Sequence, residues 1–121
     1  MAAVQQSAGA LEVAGQIEYA YWRSSAYRKV ALALAQAGQA KQALEVAGQI
    51  EDSDSRWWAV CKVALALAQA GQTEQALEVA QQIEDAWRRS EAFCEVALAL
   101  AQAGQFEQAL EVARQDRKSV V

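Results

Sequence analysis

Cys61 and Cys94 are the two cysteines of this sequence, the side chains whose thiolates would serve as a nucleophile or a soft metal ligand. A thiol acts as either only when a base or a cationic neighbour promotes its thiolate. The chain contains no His, which removes the imidazole used by Ser-His and Cys-His pairs and by most zinc centres. Two thiols without His make a poor zinc site, and no base is positioned beside either one. The expectation is a protein with no catalysis, no metal and no cofactor. The remaining charged residues recur too evenly for a reaction centre. Arg23, Arg56 and Arg89 are placed to meet the carbonyl end of a preceding helix or a neighbouring carboxylate, while Glu12, Glu45, Glu78 and Glu111 form a solvated face.

The regular interval belongs to the whole chain. At an offset of 33 residues, Ala31 to Gln39 aligns with Ala64 to Gln72 and with Ala97 to Gln105, and Ala10 to Glu18 equals Ala43 to Glu51 at all nine positions. Such a period marks stacked units, each too small to bury its own apolar face. Within a unit, Val60, Val63, Ala64 and Leu67 make one helical stripe, and Ala76, Leu77, Val79, Ala80 and Ile83 make a second. Gly38, Gly71 and Gly104 fit the left-handed position that ends a helix, so each pair turns back into an antiparallel hairpin. The anchors predict seven helices near 2–18, 22–37, 40–51, 55–70, 73–84, 88–103 and 106–118, with N-caps at Ser53 or Asp54 and at Asp85. Cys61 and Cys94 then occupy equivalent places on units whose helices lie ~8–10 Å apart or more, beyond the ~7 Å reach of a disulfide, and are expected as thiols packed like small hydrophobes.

Composition narrows the class further. A chain of 121 residues that is 54% hydrophobic, with 29 Ala, is too apolar for a disordered tail and builds one core from small side chains. A net charge of −4 without a basic run argues against nucleic acid. The start MAAVQQS has no signal-peptide layout, and apolar runs such as Val63 to Ala68 are far short of the ~20 residues that span a bilayer. A soluble, cytoplasmic protein with no membrane partner is expected.

The sets Tyr27, Val30, Ala31, Leu34, Ala43 and Ala47, then Val60, Val63, Ala64, Leu67, Ala76 and Ala80, then Phe93, Val96, Ala97, Leu100, Ala109 and Ala113 resemble the tetratricopeptide repeat family. The resemblance covers essentially the whole chain. It departs in its period of 33, in the missing closing proline and in Ala where the second helix has a large late residue. Ankyrin repeats share the period, but their Thr-Pro-Leu-His turn is absent. The resemblance implies an all-α, right-handed α-solenoid of antiparallel helix hairpins: a half repeat at 1–18, then repeats at 19–51, 52–84 and 85–121. That makes about three and a half repeats in a single repeat domain. Near-identity between units implies either recent duplication or consensus-style engineering.

Variation between units is concentrated at the start of each first helix, and it reads either as a tolerant helix start in which Tyr27, Val60 and Phe93 are alternative core fillers or as a binding face. Across 31–52 only three of 22 positions differ from their partners one unit on, whereas across 53–63 seven of 11 differ. The variable stretch, at the start of each first helix, carries Tyr21, Trp22, Trp57, Trp58 and Trp87. In a tetratricopeptide-like stack the concave line would hold Ser25, Arg28 and Leu32, then Trp58, Cys61 and Leu65, then Glu91, Cys94 and Leu98. This surface would receive a protein or peptide, with Trp58 as anchor. The family's clamp on a terminal carboxylate is not expected, because Leu32, Leu65 and Leu98 stand in its Asn row. The alternative is a homo-oligomer built through Tyr21, Trp22, Trp57 and Trp87 and through the first helix, where Val4, Ala8 and Leu11 lack a preceding partner. At the other end, Asp116 replaces the Ile found at 17, 50 and 83, as expected of a terminal repeat.

Overall fold

A computed structural model describes residues 2–120, with side chains described from 9 to 117. Among these residues the chain forms seven helices and no strand: α1 (Ala2–Gly15), α2 (Ala20–Gln36), α3 (Ala40–Gly48), α4 (Ser53–Gln69), α5 (Thr73–Gln81), α6 (Ala86–Gln102) and α7 (Phe106–Val120). Two compact units, 1–63 and 64–121, divide the chain inside α4. In the first, α2 packs on α3 and on α1; in the second, α6 packs on α7 and on α5.

The hairpin turns follow from the Ala-Gly-Gln sequence. Gly38, Gly71 and Gly104 have φ of 82°, 81° and 81°, and no other described residue has positive φ. The Gln39 amide reaches back to the Leu34 carbonyl at 2.8 Å and the Gly38 amide to Ala35 at 3.1 Å, and both bonds recur at Gly71 and Gly104. This pair of bonds is the Schellman closure, which satisfies two helix-end carbonyls and reverses the chain.

Helices α1, α3 and α5 stop three residues before their expected ends, at 15, 48 and 81 rather than 18, 51 and 84, whereas α7 runs to 120, two residues past its expected end at 118. The reason lies in the isoleucines. The amides of Gln49 and Ile50 bond to carbonyls three residues back, which tightens the last turn and drives Ile50 inward to 1% exposure. Ile83 follows the same course. The released Ile carbonyls are taken up by the periodic arginines: Arg23 Nη1 donates to Ile17 O at 3.1 Å, Arg56 Nη1 to Ile50 O at 3.0 Å and Arg89 Nη1 to Ile83 O at 2.9 Å. Arg23 also reaches the Glu51 carboxylate with Nη2 at 3.1 and 3.2 Å.

First helices begin two residues earlier than expected, at 20, 53 and 86. Asp85 caps α6 as predicted, accepting from the Arg88 amide at 3.1 Å. At α4 the cap falls on Asp52 instead of Ser53 or Asp54, with Asp52 Oδ2 accepting from the Ser55 amide at 2.8 Å. Asp52 is the residue equivalent to Asp85, and three residues on is the spacing a capping carboxylate needs.

Core positions repeat with the sequence. Leu34, Leu67 and Leu100 are 2%, 5% and 1% exposed, and Ala43, Ala47, Ala76 and Ala80 are completely buried. Ile50, Ile83, Phe93 and Val112 are among the largest fully buried side chains.

Two substitutions separate backbone from packing. A Cβ at either Gly71 or Gly48 meets nothing within 4 Å, but only Gly71 has positive φ. Gly71→Ala should destabilise by about 1–2 kcal/mol, and Gly48→Ala, at a helical position, should stabilise by about 0.5–1 kcal/mol, both read from urea unfolding. The cap gives a pH signature. The Ser55 amide and hydroxyl, then the Arg56 and Arg28 charges, hold the Asp52 carboxyl below its ordinary 3.8. Its contribution to stability is therefore full above that value and is lost as pH falls through the lowered folded-state value. Asp52→Ala should weaken the protein at pH 7, and the gap to wild type should shrink in acid below 3.8, measured by denaturation at each pH.

Candidate partner-binding surface

The described residues include no group of three or more Cys, Asp or Glu side chains arranged to hold a metal ion. Cys61 is buried at 3% exposure and Cys94 is exposed; neither is in a disulfide. No described helix is long and apolar enough to cross a membrane.

The rows expected on the concave line divide by exposure. Ser25, Arg28, Leu32, Trp58 and Leu65 are half-buried, Cys61 is buried, and Glu91, Cys94 and Leu98 are exposed. Cys61 therefore presents no surface to a partner. Two cations approach the Trp58 ring, with the Arg28 guanidinium 4.8 Å and the Lys62 ammonium 5.5 Å from its centroid. Its π face is engaged inside the chain, which makes it a support for two charges instead of an open anchor. Trp57 is half-buried, with the Arg56 guanidinium 5.4 Å from its ring. Tyr21, Trp22 and Trp87 project at 74%, 61% and 80% exposure, and Tyr21 and Trp22 meet edge to face at 5.0 Å. Leu11 is half-buried, and Val4 and Ala8 lie outside the described side chains.

An apolar groove lies on the last hairpin. A groove of about 560 Å³ runs between α6 and α7, walled by Ala97, Ala101, Ala109 and Ala113, with Leu98, Phe106 and Leu110 along it and Asp116 at one end. Its volume is that of a small-ligand or side-chain site. Two residues of the expected rows, Cys94 and Leu98, line it; Phe106 and Leu110 were not foreseen. One signal was present in the sequence: Phe106 stands where the earlier units have Ala40 and Thr73, so a large apolar side chain replaces a small one just after the turn.

Equivalent residues of α5 and α7 differ in exposure. Ala80 on α5 is 0% exposed, and α6 packs against α5; its equivalent Ala113 on α7 is exposed. Leu77 is half-buried and Leu110 is 58% exposed, although both stand at one place in the repeat. The residues of α7 that line the groove are the sequence equivalents of residues on α5, the helix that α6 packs against. Asp116 closes its end, accepting from Ser90 Oγ at 2.8 Å. Comparison of the chain with protein-family models, with curated proteins and with solved structures gives no match.

If Leu98 and Leu110 face an unfilled groove, polar replacement costs the isolated fold little. Leu98→Asn and Leu110→Asn should each shift unfolding free energy by under about 0.5 kcal/mol, while Leu100→Ala at a filled position should cost about 2–5 kcal/mol. Equilibrium urea unfolding distinguishes the two classes.

Proposed function

We propose that this chain is a non-catalytic, tetratricopeptide-like scaffold, a right-handed solenoid of 33-residue hairpins, which binds a helical segment of a protein partner in the groove between α6 and α7. The observation that carries the reading is the open groove beside a closed equivalent. In the second unit, a first helix lies on α5; α7 repeats the Ala-Leu-Glu-Val-Ala of α5 with no such neighbour among the described residues. An amphipathic helix with apolar residues at i, i+3, i+4 and i+7 is the occupant that matches this shape. The reading needs no cofactor. Cys94 and Leu98 serve it as contact residues, whereas Ser25, Arg28, Leu32, Trp58 and Leu65 contribute only their half-exposed edges.

Energetics set the expected strength. Leu98, Phe106 and Leu110 are 58%, 65% and 58% exposed, so covering them removes roughly half or more of each side chain from water. That contributes about 1–2 kcal/mol apiece, against an association cost of at least ~4 kcal/mol. A lone helix therefore binds weakly, and its own apolar face must contribute the rest.

The probe is a labelled 17-residue peptide with the sequence of residues 86–102, whose parent helix already packs against the equivalent of α7. Fluorescence anisotropy should show saturable binding in the range of roughly 10–1,000 µM. Leu98→Glu with Leu110→Glu should weaken it by at least about tenfold. Absence of saturation, or equal binding by the double variant, overturns the reading.

A further inference from the structure

We propose that Arg28, laid on the ring of Trp58 in the first unit, anchors a second binding site that takes a phosphate monoester. The site is separate from the α6–α7 groove and stands whether or not that groove binds a helix. Its basis begins in the repeat. Position 28 is Cys in the two later units, at 61 and 94, and Trp58 stands where the others have Ser25 and Glu91. The seven residues from Val30 recur unchanged from Val63 and from Val96, so the repeat itself asks for neither the arginine nor the tryptophan. Yet the two departures, one on α2 and one on α4, meet within the first unit, with the Arg28 guanidinium 4.8 Å from the Trp58 ring centroid.

Arg28 is a half-buried cation that the fold leaves without an anion. Its guanidinium makes no hydrogen bond or ion pair with a described residue, and its Nε is buried with no acceptor. Asp52 feels the Arg28 charge, but Asp52 Oδ2 is committed to the Ser55 amide at 2.8 Å. An unpaired donor on a part-buried charge is costly, and one that persists calls for an acceptor from outside the chain. Stacking on the ring fixes the guanidinium plane without consuming its in-plane N–H groups, so the fork remains able to hold two oxygens of one ligand. Charge then selects the ligand. Lys62 brings its ammonium to 5.5 Å from the same ring centroid, and Lys29 is exposed next to Arg28 in the chain. Lys62 has a further interaction of its own, so it contributes field while Arg28 contributes the hydrogen bonds. Neighbouring cations favour the anion of higher charge, and a phosphate monoester carries about −1.5 to −2 at neutral pH where a carboxylate carries one charge.

Proton–nitrogen NMR on the intact chain tests the site through the Arg28 Nε–H and Trp58 indole N–H signals. The probes are inorganic phosphate, a glycine pentapeptide with phosphoserine at its centre, and acetate, all at constant ionic strength. Phosphate should shift both signals saturably, with a midpoint in the range of about 1–10 mM. Acetate should bind at least ~10-fold more weakly. Arg28→Cys restores the residue of the other units and should remove the phosphate-dependent shift of the Trp58 signal. Arg28→Lys keeps the charge but loses the fork, and should weaken binding at least ~10-fold. Lys41→Gln, which removes one exposed positive charge from α3, should move the midpoint less than about twofold. Circular dichroism checks that each variant is folded. A phosphopeptide that binds more than ~10-fold tighter than inorganic phosphate places the monoester on a protein partner, and equal binding places it on a free small molecule; either supports the site. Equal binding of acetate overturns the phosphate assignment. Shifts that only rise linearly, or binding undiminished in both Arg28 variants, overturn the site and leave the groove reading standing.

Discussion

Alanine at the helix crossings is the constraint from which the rest of this molecule follows. Ala31, Ala43 and Ala47 in the first unit, and Ala64, Ala76, Ala80 and Ala92 in the second, are entirely excluded from solvent. A methyl group where two helices pack lets their backbones approach closely, and Leu34, Leu67 and Leu100, three residues on from Ala31, Ala64 and Ala97, are buried. The same choice limits what one hairpin can bury, because alanine supplies little apolar area. A hairpin of this composition is stable only with a neighbour against its outer face. Dependence on neighbours is therefore written into the residue that makes the packing possible.

Local features were the most legible in the sequence. Seven helices and the three glycine turns could be read from the 33-residue interval, because a Schellman closure depends on a handful of adjacent residues that recur intact around Gly38, Gly71 and Gly104. Helix ends were less legible. The stripe Ala76 to Ile83 has helical spacing throughout, yet Ile83 leaves the helix and enters the core from a tightened turn. Spacing alone does not separate those two ways of burying one residue. The arginines held the missing information: Arg89 bonds the carbonyls of Ile83 and Glu84 at 2.9 and 3.2 Å, which is possible only where those groups are outside the helical ladder.

The apolar groove was legible only in part, for a different reason. Cys61 and Cys94, or Leu77 and Leu110, are the same residue at the same place in the repeat, and no reading of local sequence distinguishes them. Their exposures nevertheless differ: Cys61 is buried and Cys94 exposed, Leu77 half-buried and Leu110 exposed. Trp58 shows the converse. Its neighbourhood holds Arg28 and Lys62, drawn from two helices of the first unit, and their approach to the ring consumes the face that an isolated tryptophan would have offered a ligand.

Two departures from the repeat in the last hairpin give the groove a direction. Phe106 enlarges its apolar side just after the turn, and Asp116 places a carboxylate at its far end in place of isoleucine. Asp116 is bonded to Ser90 in the opening turns of α6, the end of that helix where unpaired amides carry partial positive charge. A carboxylate there is favourable to α6 already, and it is equally favourable to a second helix laid alongside with its amino end at the same side. The opposite orientation would set a helix carboxyl end against Asp116 and repel it. On the proposed reading, then, the residue that ends the isoleucine series also fixes the polarity of what docks: the groove accepts a helix running parallel to α6, as the next first helix of the repeat would run.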